Sequence, residues 1–180
     1  MYLRKKQLFH LVLAAMFLAL ALILPFFTGQ IPQVGNMLCP MHIPVLLCGF
    51  FCGPWYGCII GFVAPVLRFA LFGMPPIFPT GVAMCFELAV YGMVSGMLYR
   101  YLPKKHISVY IALLAAMLAG RVMWGLVQVI IWGLGKSEFG WAAFISGAFT
   151  TAIPGIILQI VIIPILVIAI KRAAPVERKE

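Results

Sequence analysis

Residues Ile107–Gly133 read ISVYIALLAAMLAGRVMWGLVQVIIWG, an apolar run with a single charge, Arg121, far from either end. At about 1.5 Å per helical residue this run is long enough to cross a hydrocarbon core of roughly 30 Å. Further apolar segments lie at about 8–27, 41–53, 56–72, 80–100 and 142–170. The one at 41–53 is too short to span, and is expected to be a partly immersed helix whose ends neighbouring protein covers. Breaks fall at Gly53-Pro54, Gly73-Met74-Pro75-Pro76 and Gly135–Gly140, where glycine or proline stops a helix. The basic start before the first run imitates a signal peptide. That run ends in Pro25-Phe26-Phe27 rather than at a small-residue cleavage site, so it reads as a retained helix.

Composition agrees with this reading. Of 180 residues, 64% are apolar and 9% charged, against about 25% charged in a soluble domain. A water-soluble core and disorder are both excluded. The expected fold is an all-α integral membrane protein: one membrane domain, residues 1–180, forming a six-transmembrane-helix bundle without an internal repeat. The net charge of +9 is no nucleic-acid footprint. Ten of the 13 basic residues fall in three clusters, Arg4-Lys5-Lys6, Arg100 with Lys104-Lys105, and Lys171-Arg172 with Arg178-Lys179. Each flanks an apolar segment, as cytoplasmic anchors do. Both termini are therefore expected in the cytoplasm, and the chain in a prokaryotic cell membrane.

The residues that carry most chemistries are missing. The chain has no Gly-x-x-x-x-Gly-Lys-Ser/Thr loop, no Gly-x-Ser-x-Gly and no His-Glu-x-x-His. Its histidines are His10 and His106 at helix ends and His42 in the first outer loop. The five cysteines are odd in number and lie mostly in or beside apolar runs, which suits small buried thiols. Cys48 and Cys52 are one turn apart but lack histidine or carboxylate partners for a metal. We expect neither an enzyme nor a cofactor.

Three charges interrupt the apolar segments, and such residues are costly unless they face a cavity or a partner. By helical rise, Arg68 lies roughly 18 Å and Arg121 about 21 Å from the cytoplasmic starts of their helices, and Glu87 about 10 Å below its outer start. All three share the outer half of the membrane. Arg121, Gly125, Gln128 and Trp132 recur at i, i+4, i+7 and i+11, one face of a helix with Trp124 beside it. A cation, an amide and indoles on one face suit a pocket for an amphipathic organic solute. Two guanidinium groups against Glu87 would leave about one positive charge over. The expected solute therefore carries a carboxylate or similar acceptor, read by Arg121 with Gln128 and Arg68. The uncharged loop Thr28–Met41, rich in glycine and proline and offering Asn36 for hydrogen bonds, is the expected gate. Gly57, Gly61 and Ala64 on one helix, and Ala89, Gly92 and Gly96 on the next, allow close helix packing.

Several stretches in order resemble the substrate-binding membrane subunit, the S component, of energy-coupling factor vitamin transporters. They are Ala15-x-x-x-Ala19, PMHIPVLLCGFFCGPWYG (Pro40–Gly57), PPIFPT (Pro75–Thr80), FELAVYGMVSGMLYR (Phe86–Arg100) and IPGIILQ (Ile153–Gln159). The resemblance covers about Leu8 to Ile170. It implies a protein that captures a micronutrient at its outer face and docks on a transmembrane coupling subunit driven by two ATPases. It further implies that Ala15 and Ala19 form the docking surface, and places Glu87, a candidate pocket residue, at a glutamate common in the family. No ligand set of the riboflavin, thiamine or biotin members is present. The rival reading is a self-sufficient secondary carrier or channel, which six helices without a visible inverted repeat make less natural. A membrane enzyme, the third reading, lacks a catalytic pair.

Overall fold

The computed structural model describes residues 2–28, 39–103, 105–134 and 153–173. Within them are six α-helices: α1 Tyr2–Ile23, α2 His42–Cys52, α3 Pro54–Phe72, α4 Val82–Tyr101, α5 His106–Leu134 and α6 Ile153–Ala173. Five segments are long and apolar enough to cross a membrane. The sixth, α2, has 11 residues and spans only about 17 Å by helical rise. The described residues thus hold five span-length segments and the short second helix expected at 41–53. Residues 142–152, expected to open the last helix, and Gly135–Gly140 lie outside the described residues.

The short helix is the centre of the molecule. Every residue of α2 is buried except Phe51, which is partly so, because α1, α3, α4 and α6 all pack against it. A helix apolar on all sides is stable only where protein surrounds it, and this enclosure lets 11 residues sit at membrane depth. Gly53 stops α2 at a φ of 96° and donates to Gly49 O at 3.1 Å. That backbone conformation is open to glycine at little cost. Pro54 then begins α3 where its missing N–H is an orphan in any case.

Contacts between helix ends fix the directions. His10 near the start of α1 meets Tyr56 near the start of α3, with ring centroids 6.2 Å apart. Phe26 just beyond α1 meets Phe72 at the end of α3 at 4.9 Å. α1 and α3 therefore run parallel, and the chain between them returns through α2. At the same end as His10 lie Phe50 of α2 and Tyr99 of α4, 5.1 Å apart, with Lys171 of α6 placed over the Tyr99 ring. Lys105, Lys171 and Arg172 consequently share one end of the bundle.

Burial follows the helical period. On α5, Val109, Ala112, Leu113, Ala116, Met117, Gly120 and Arg121 face inward, while Ile111, Leu114, Leu118, Val122 and Leu126 are exposed. Large exposed aliphatic side chains around the whole bundle are the surface a lipid phase solvates. The closest packing joins α3 to α4, where a Cβ on Gly92 would stand 2.2 Å from Gly57 O. We expect Gly92→Ala to force the two backbones apart at a cost of roughly 1–3 kcal/mol. Thermal unfolding in detergent should show the loss, whereas Met97→Leu on the exposed face leaves the midpoint unchanged.

Candidate functional site

The deepest polar cluster forms where α2, α4 and α5 meet. Glu87 on α4 is 2% exposed, and its Oε1 lies 3.1 Å from Arg121 Nη1 of α5 and 3.5 Å from His42 Nε2 of α2. The His42 ring rests edge-on against Tyr91, one turn along from Glu87, with centroids 5.1 Å apart. Tyr91 comes that close to α5 because Gly120 offers it a bare backbone; a Cβ there would meet the ring at 2.7 Å. Arg121 Nη2 donates to Cys39 Sγ at 3.7 Å, so the chain entering α2 is held on α5.

The cluster keeps polar capacity in reserve. Among the described residues, His42 Nδ1 and Arg121 Nε are fully enclosed without a hydrogen-bond partner, and so is Gln159 Oε1 on α6. By helical rise Gln159 lies about 9 Å below the start of α6 and Glu87 about 8 Å below that of α4, a similar depth. Enclosed polar atoms normally find partners, since leaving one unmade costs about 1–3 kcal/mol. Donors and acceptors left open in one layer are what a polar solute would engage.

Three of the four residues of the stripe expected on α5 face inward, and Trp132 is exposed at its end. Arg121, Gly125 and Gln128 are buried, and Trp132 Nε1 donates to Gln128 Oε1 at 3.1 Å. Trp124 is half-buried beside them. Asn36 lies outside the described residues. His42, read from the sequence as a loop residue, is the first residue of α2. Pro44 two positions later is compatible with that start, because first-turn N–H groups need no intrahelical acceptor.

Arg68 requires a correction. The sequence arithmetic set two guanidinium groups against one carboxylate, but the ion pairs of Glu87 are with Arg121 and His42. Arg68 instead donates from Nη1 to Leu22 O at 2.6 Å, at the C-terminal end of α1. Its guanidinium lies over the rings of Phe26 and Phe72 at 5.3 and 5.5 Å. A cation at a helix C-terminus satisfies an orphan carbonyl and complements the helix dipole. One guanidinium thus faces Glu87, and the second positive charge, on Arg68, stands apart from this cluster at the end of α1.

A bundle of span-length apolar helices around an enclosed polar layer is a multi-pass membrane protein. A family model described as ECF transporter, substrate-specific component, matches residues 9–167. The chain belongs to this family, whose members are substrate-binding subunits of ECF transporters. No curated protein and no solved structure matches it.

The Arg121–Glu87 pair makes a direct prediction. Arg121→Met strands a buried carboxylate and should destabilise the fold by roughly 3–5 kcal/mol. Glu87→Gln with Arg121→Met removes both charges and should regain most of that in thermal unfolding. A double variant no more stable than Arg121→Met would show that the charges do not compensate each other.

Proposed function

We propose that this subunit captures a vitamin or related small metabolite with high affinity in the half of the membrane away from its basic end. It then docks through α1 on a transmembrane coupling subunit served by two ATPases. The basic end is cytoplasmic in this reading, with both termini inside the cell. The observation that carries the solute site is the enclosed layer with open hydrogen-bonding atoms on Arg121, His42 and Gln159.

The layer also narrows the solute class. Glu87 compensates Arg121, so the site selects by hydrogen bonding more than by net charge. A carboxylate or carbonyl of the solute meets Arg121 Nε, an N–H or O–H meets Gln159 Oε1, and Trp124 and Trp132 cover an apolar part. Gln128 orients Trp132, and Glu87 holds Arg121 in place for the solute. Arg68 supports the site by fastening α1 to α3.

Docking through α1 is supported by its two faces. Ala14, Phe17 and Ala21 pack inward, while Ala15 and Ala19 are exposed beside Leu11, Val12 and Met16. Two exposed alanines four residues apart give a partner helix close backbone approach.

Two measurements test this reading. In a thermal-shift screen against a vitamin panel, one solute should stabilise the purified subunit, by about 2.7 kcal/mol at a hundred times its Kd. Gln128→Ala should weaken that solute about tenfold, or about 1.4 kcal/mol. No stabilising solute, or an unchanged affinity in Gln128→Ala, would count against the site. Separately, Ala15→Trp or Ala19→Trp should abolish co-purification with the coupling subunit while solute binding persists. Loss of binding as well would mean that these alanines pack within the chain.

A further inference from the structure

At the basic end, α4, α5 and α6 line a half-open recess of about 120 Å³. Its lining includes Lys105, His106, Lys171 and Arg172, with no acidic side chain among the described residues. It exceeds the roughly 30 Å³ that one water occupies in the liquid. Its base is apolar, formed by the buried Tyr99 and Val167. Lys171 Nζ sits 4.2 Å from the centre of the Tyr99 ring, which holds this ammonium beside the cavity. The cavity also reaches His106, the first residue of α5, where the helix dipole adds positive potential.

Like charges in one recess repel, and no carboxylate among the lining residues offsets them. Three permanent cations around an apolar base fit an amphiphile with an anionic head. We propose that this cavity binds the phosphate of an anionic phospholipid, whose acyl part continues along the exposed faces of α5 and α6. Ile107, Tyr110, Ile111 and Ile165 form those faces. The apolar base and the lipid-facing walls favour a lipid over free phosphate as the source. Basic recesses between spanning helices read anionic headgroups in this way. Binding at this end does not depend on the identity of the transported solute. The proposed function enters only in assigning the lipid to the cytoplasmic leaflet.

The test uses the full chain in nanodiscs of phosphatidylcholine with a minor share of phosphatidylglycerol, and native mass spectrometry to count retained lipid. Wild type should retain phosphatidylglycerol in preference to phosphatidylcholine. Each cation removed should lower that preference about fivefold. Lys105→Gln, whose side chain is exposed, and Lys105→Gln with Lys171→Gln should both show it. Lys5→Gln on α1 should not. Unfolding midpoints in pure phosphatidylcholine should be equal for all variants, so that lost preference reports the site rather than the fold. The proposal is overturned by no preference in wild type, or by an equal loss in Lys5→Gln. It is also overturned if inorganic phosphate raises the wild-type midpoint as much as phosphatidylglycerol does, since the ligand would then be a soluble anion.

Discussion

The arrangement depends on one buried ion pair, Arg121 with Glu87. Charges in a medium that water does not reach are costly, by a few kcal/mol each at membrane depth, so each must be compensated where it stands. That demand brings α4 and α5 together at one level, draws His42 to the same carboxylate and places Cys39 against the guanidinium. α2 is thereby held inside the bundle, where its short length is tolerated. Packing does the rest: Gly57 against Gly92 lets α3 and α4 touch backbone to backbone, so the polar layer has rigid walls.

The same constraint explains the separate fate of Arg68. Among the described residues, a second guanidinium at the layer would have had no carboxylate left to pair with. It is satisfied by the Leu22 carbonyl and two aromatic rings, a solution that needs no acid. Arg68 therefore fastens the far ends of α1 and α3, and Arg121 brings its guanidinium to the polar layer. The two arginines look equivalent in the sequence and perform different physical work.

What the sequence made legible follows from periodicity and composition. The buried stripe of α5 appears as spacings of four and three. The basic clusters mark one end of the bundle, and Gly53-Pro54 announces the break after α2. What it hid were partners without a sequence signature. A backbone carbonyl as the acceptor for Arg68 leaves no mark in the residue order. His42 precedes a proline and follows a loop rich in glycine and proline, so it reads as loop although it opens a helix. Gln159 is a lone amide in an apolar run, and only its burial at a depth similar to that of Glu87 makes it a candidate. Helical rise set Arg121 and Glu87 at comparable heights along their helices, but a sum of charges could not assign which cation Glu87 neutralises.

Membership of the ECF substrate-specific components makes this chain a substrate-binding subunit of an ECF transporter, and the proposal is that transport is powered by its partners. Reconstitution in proteoliposomes tests this most directly, with the solute found to stabilise the purified chain supplied outside. The account predicts accumulation only when the coupling subunit, both ATPases and internal ATP are present, and binding without accumulation when the chain is alone. Accumulation by the chain alone, without ATP, would contradict it and establish a self-sufficient carrier.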